Sequence, residues 1–175
     1  MTKKDAAESD TTADHVDRVL AQWADQRPDL DVSPMSVIGR LARLRSLMDP
    51  AMKKTFAGHG LDRASFDVLA TLRRNGPDHP LTPAELMRSA MVTSGAVTQR
   101  LDRLQERGLI SRTPSPTDGR VVHVALTGEG LELIERALPD HLATERSLLA
   151  PLPPAELEQL ADILRTLLVG LGDTD

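Results

Sequence analysis

Between Thr93 and Arg120 the chain concentrates side chains that grip phosphates and base edges rather than side chains that break bonds. Thr93, Ser94, Thr98 and Gln99 place hydroxyls and an amide at the start of a stretch with helical spacing, and Arg103 follows one turn after Gln99. Hydroxyl and amide groups hydrogen-bond to base edges or phosphates in a major groove, whereas a guanidinium such as that of Arg103 holds phosphate. Arg120 has the chemistry to enter a narrow, negative minor groove, with Asp118 orienting it or closing the turn. Taken alone, Arg103 and Arg107 read as solvated helix charges and Asp118-Gly119 as a turn. The order of the elements around them is what turns the reading toward DNA.

Those elements are well punctuated. Thr82-Pro83-Ala84-Glu85 is a capped helix start, with Thr82 as N-cap, Pro83 at the first helical position and Glu85 at the third, and the spacing predicts a short helix to about Ser89. Thr93-Ser94-Gly95 offers a second cap, after which Val97, Leu101 and Leu104 recur at helical spacing until Arg107-Gly108 stops the helix. Leu109 to Arg112 and Val121 to Leu126 then read as strands either side of Pro114-Ser115-Pro116-Thr117-Asp118-Gly119, a hairpin with Arg120 at its tip. Residues 81 to 126 are therefore expected to form a helix-turn-helix followed by a two-stranded wing.

The rest of the chain supplies a frame for that segment. Residues 1–12 are polar and aperiodic, an expected disordered tail. Val16, Val19, Leu20 and Trp23 follow helical spacing, Arg27-Pro28 ends that helix, and a long amphipathic helix with Val37, Ile38, Leu41, Leu44 and Leu47 follows, extended past Pro50 to Phe56. After Gly58-His59-Gly60, Asp62 caps a helix carrying Phe66, Leu69 and Leu72. Beyond the wing, Thr127 caps a helix from Gly128 to about Ala150, with Pro139 as a kink site, and a last helix opens at Pro153-Pro154. Leu157, Leu160, Leu164, Leu167 and Leu171 give it a near-heptad stripe suited to a dimer bundle with the N-terminal helices. The expected class is mainly α with a small β-wing: N-terminal helices over 13–57, a DNA-binding lobe over 58–126, and C-terminal dimerisation helices over 127–172.

Composition narrows the function classes. With 175 residues and no cysteine, the chain can bury a core but has no disulfides, thiolate metal sites or cysteine redox switch. No run of eighteen apolar residues and no apolar leader core is present, so a cytoplasmic location is expected. His15, His59, His79, His123 and His141 are scattered without metal-ligand spacing, and there is neither a phosphate-cradling glycine loop nor a motif-supported catalytic triad. No enzyme, cofactor or metal is implied. The net charge of −5 is unevenly laid down: residues 33–81 hold eight Lys/Arg against four Asp/Glu and residues 82–125 six against four, while 1–32 hold four against eight and 126–175 three against ten. A basic middle between acidic ends fits DNA-reading lobes on an acidic dimerisation region, and equally fits acidic ends around a merely solvated middle.

In this order of elements the chain resembles the MarR family of dimeric winged-helix regulators over roughly residues 35 to 172. The resemblance is carried by Phe66-Asp67-Val68-Leu69-Ala70-Thr71-Leu72-Arg73, by Gln99-Arg100-Leu101-Asp102-Arg103-Leu104 through Arg107-Gly108-Leu109-Ile110-Ser111-Arg112, and by Asp118-Gly119-Arg120 leading to Leu126-Thr127-Gly128-Glu129-Gly130. Gly119 replaces the middle arginine of the family's usual Asp-Arg-Arg wing tip. The additional N-terminal helix with Trp23 looks like the urate-responsive PecS/HucR-like branch, whose ligand set falls here on Trp23, Asp67, Arg100 and Arg112. That resemblance implies a homodimeric regulator, a repressor in its usual form, released from a pseudo-palindromic operator by urate or a related anionic purine. The residues leave other readings open: periodicity alone makes Trp23 a core residue, and Asp67 suits a structural ion pair with Arg100 or Arg112. A phenolic or antibiotic-like effector, or a protein-binding winged helix without DNA affinity, are the competing functions.

Overall fold

The fold is described from a computed structural model, for residues 13–77, 79–89, 97–115, 118 and 121–174. The expected tail and the positions of Thr93, Ser94 and Arg120 lie outside these residues. Two compact units divide the chain, residues 1–50 and 51–175.

In the first unit, α1 (His15–Gln26) starts where Asp14 and Asp17 form a reciprocal capping box, Asp14 accepting from Val16 N at 2.7 Å and Asp17 N at 3.0 Å. Both carboxylates also receive Arg40 of α2 (Pro34–Gly58), at 2.8 and 2.6 Å, so the two helices are tied at the cap. Gly39 lets them approach, because a Cβ there would lie 3.3 Å from the Val16 side chain, the one buried residue of α1. Trp23 is 41% exposed, which corrects its reading as a core residue: within this chain α1 buries only Val16. Helix α2 continues through Pro50, which costs one backbone hydrogen bond but does not end it.

The second unit holds α3 (Arg63–Asn75), α4 (Pro83–Ser89), α5 (Val97–Glu106), strands β1 (Ile110–Pro114) and β2 (Val122–Leu126), α6 (Gly128–Leu149) and α7 (Pro154–Gly170). The strands pair antiparallel with Arg112 opposite Val124, and Leu81 adds a one-residue bridge to Val124. Leu69, Leu72, Leu86, Leu101, Leu104, Ile110, Val124 and Ile134 close one core contributed by every element from α3 to α6. Phe56, Phe66 and His141 pack ring against ring at its edge, with centroids 4.6 to 5.6 Å apart. Helix α6 runs unbroken past Pro139. Each strand differs slightly from its sequence-based bounds, β1 starting at Ile110 and reaching Pro114 because pairing with Val122 carries it that far.

Candidate nucleic-acid interface and effector site

Helix α5 is anchored by Leu101 and Leu104, each 1% exposed, which fixes which of its faces is left for a ligand. Thr98, Gln99 and Arg103 are exposed, and Gln99 and Arg103 are a turn apart on the side away from that anchor. The helix before it is set by the expected capping box: Glu85 Oε2 accepts from Thr82 N at 2.8 Å and Glu85 N donates to the Thr82 hydroxyl at 3.2 Å. The Thr82 backbone N–H, then its hydroxyl, hold the Glu85 carboxyl below its ordinary pKa. In the hairpin, Asp118 is exposed and its carbonyl accepts from Val121 N at 2.9 Å.

The C-terminal end of α5 is stitched to its surroundings. Arg107 Nη1 donates to the Gly60 carbonyl at 2.9 Å, and the Thr127 hydroxyl donates to the Gly108 carbonyl at 2.5 Å while accepting from Gly130 N at 3.1 Å. Gly108 turns the chain at φ 69°, and Gly130 is required by contact, since a Cβ there would sit 1.9 Å from the Leu109 carbonyl oxygen. The start of α6 and the end of α5 thus meet backbone to backbone.

Of the four residues matched to an effector set, Arg112 has the most telling geometry. From β1 it reaches α5 twice, Nη1 to Asp102 Oδ1 at 2.7 Å and Nη2 toward the Thr98 carbonyl at 3.4 Å, and its buried Nε makes no hydrogen bond among the described residues. A residue expected to face a ligand and one expected to face DNA are therefore joined directly. Arg100 is half-buried. Asp67 is half-buried on α3, with Oδ2 inaccessible to solvent. Trp23 belongs to the first unit.

One acid was missed in the sequence, and a second does more than its expected part. Asp102 is the ion-pair partner of Arg112, a pairing that depends on how β1 folds back along α5 and has no local sequence signal. Asp62, expected as a cap, accepts from Ser65 N at 2.6 Å. Burial works against its charge, but the Ser65 N–H and hydroxyl, with the positive charges of Arg100 and Arg103, outweigh it and lower its pKa. The cap of α3 thereby stands in the field of the α5 arginines.

A separate pocket of about 480 Å³ opens between the end of α3, β2 and the start of α6, lined by Leu72, Pro77, Val124, Leu126 and Leu131, with Arg73 and Glu135 paired beside it. None of the four matched residues lines it.

A helix packed in the lobe with one polar face outward, followed at once by a hairpin, defines a winged helix-turn-helix of the kind that reads DNA. A family model described as MarR family matches residues 59–121. PecS, an HTH-type transcriptional regulator of Dickeya dadantii, is 40% identical over 149 residues, 85% of this chain and 90% of that protein. The crystal structure of Escherichia coli MarR without ligand is 30% identical with a TM-score of 0.61, covering 74% of this chain and 96% of that one. Bordetella bronchiseptica BpsR, whose structure concerns regulation of its DNA binding by 6-hydroxynicotinic acid, is 27% identical with a TM-score of 0.69, covering 79% of this chain and 94% of that one. The chain belongs to the MarR family and is a MarR-type transcriptional regulator.

Proposed function

We propose that the protein is a homodimeric repressor whose hold on a pseudo-palindromic operator is weakened by urate or a related anionic purine. The observation that carries the ligand half is Arg112, a guanidinium whose buried Nε has no hydrogen-bond partner among the described residues and which also grips the DNA-reading helix. Thr93, Ser94, Thr98, Gln99 and Arg103 meet the major groove, and Arg120 with Asp118 meets the minor groove. Arg100 and Arg112 neutralise the effector, and its charge repels Asp67, so that re-pairing of Arg100 shifts α5. Trp23 is carried by the resemblance alone. A preference of the effector for the shifted state amounts to a coupling of about 1–3 kcal/mol. Residues 13–57 and 127–172 serve the dimer, and support comes from α7, which buries no residue within its own chain. The cytoplasm is the proposed place of action.

Quenching of the single tryptophan by urate, combined with operator gel shifts, tests this reading. Quenching with release of operator DNA is expected; neither effect in millimolar urate would sink the effector assignment. Loss of the gel shift as salt rises is expected of phosphate-dominated binding. The roomy apolar pocket beside Arg73 favours a second reading, a phenolic effector held there. Operator release by a phenol but not by urate would select it.

A further inference from the structure

We propose that Asp102 is the resident anion of the effector site, and that the effector acts by taking Arg112 away from it. This rests on the reading that an anion binds at Arg112. Asp102 occupies only Nη1 of the guanidinium, and the Thr98 carbonyl is a distant acceptor for Nη2, while Nε is buried and has no partner among the described residues. A planar anion with two adjacent acceptors can engage Nε together with a terminal nitrogen, a fork geometry that Asp102 does not use. The Asp102 side chain is 48% exposed, so water solvates it once it is released and the exchange does not strand a buried charge.

The consequence for DNA follows from where the ties on α5 lie. Its C-terminal end is held by Arg107 on the Gly60 carbonyl and by the Thr127 hydroxyl on the Gly108 carbonyl, two bonds in which Arg112 takes no part. The span from Thr98 to Asp102, which includes exposed Gln99, is the part Arg112 holds. Exchange at Arg112 therefore removes a polar tie from the DNA-reading half of α5, leaving that half positioned by the packing of Leu101, while the polar ties at the far end remain. Asp102 is a positioning residue that sets both the effector's affinity and its message.

The test uses the full chain as wild type, Asp102→Asn, Asp102→Glu, Arg112→Gln and the Asp102→Asn/Arg112→Gln pair. Operator affinity is measured by anisotropy at fixed salt, and urate affinity by tryptophan quenching. Asp102→Asn is expected to bind urate threefold or more tighter, because the competitor is gone, and to show less than a twofold change of operator affinity on urate addition. Asp102→Glu should restore both properties toward wild type. Unchanged or weaker urate binding by Asp102→Asn, or full retention of the urate effect on DNA, overturns the proposal. If wild type takes up no urate, the reading above fails on its own, and the operator affinities of the four variants judge Asp102. Effects of Asp102→Asn and Arg112→Gln that fail to add support the Asp102–Arg112 contact as the tie on α5, since one contact cannot be lost twice; strictly additive effects overturn it.

Discussion

Within the second unit, the winged lobe and the last helix treat their apolar residues in opposite ways. From α3 to the start of α6, leucines such as Leu69, Leu86, Leu101 and Leu104 are 0–1% exposed, and the lobe closes its core within one chain. Helix α7 is no less leucine-rich, yet Ile163, Leu167, Leu168 and Val169 stand 44–53% exposed, and Leu171 just past its end 84%. Isolated exposed leucines are ordinary, but a helix with no buried residue at all does not stabilise itself by packing. The difference separates the two: the lobe closes its core within one chain, while α7 leaves an apolar face for the second copy that the proposed function requires.

The comparison can be broken at either end. Leu69→Ala, at the centre of the lobe, should cost about 2–5 kcal/mol of stability, read as a fall in the denaturation midpoint. A much smaller loss would mean the lobe core is not closed. On the other side, Leu167→Asp combined with Leu168→Asp should leave helical circular dichroism largely intact. The same variant should turn the dimer into monomer by sedimentation and weaken operator binding on the order of 100-fold, the gain that linked half-sites provide. A variant that stays dimeric removes α7 from the interface. Gln99→Ala, on the exposed face of α5, should lose about 1–3 kcal/mol of discrimination against altered operators while leaving the midpoint unchanged.

Smaller effects sharpen the picture inside the lobe. The Thr71 hydroxyl is buried and finds no hydrogen-bond partner among the described residues, so Thr71→Val should raise stability by about 1 kcal/mol in a denaturant titration. Glu85 and Asp62 both have lowered folded-state pKa values, so their contribution is present above the ordinary carboxylate range and is lost as pH falls through the folded values. The acid limb of a stability–pH profile should flatten in Glu85→Gln, and an unchanged limb would remove the capping box as its source.

Much of the lobe was legible because its signals are local. Thr82 with Glu85, Asp62 and Thr127 as caps, and Gly108 as a stop, each act within four residues of the helix end they define, and the structure realises all of them. Trp23 shows the limit: spacing placed it in phase with Val16 and Val19, but phase says nothing about how wide the covering surface is.

The order of elements, the caps of α3, α4 and α6 and the outward set Thr98, Gln99 and Arg103 were readable along the chain, because helix periodicity and capping chemistry are written in short spacings. Tertiary structure alone decided the pairing of Arg112 with Asp102, the need for glycine at 130 against the Leu109 carbonyl, and the field of Arg100 and Arg103 at Asp62. Those facts depend on how a strand and two helices approach one another after the chain has turned back, a geometry that no spacing along the chain encodes.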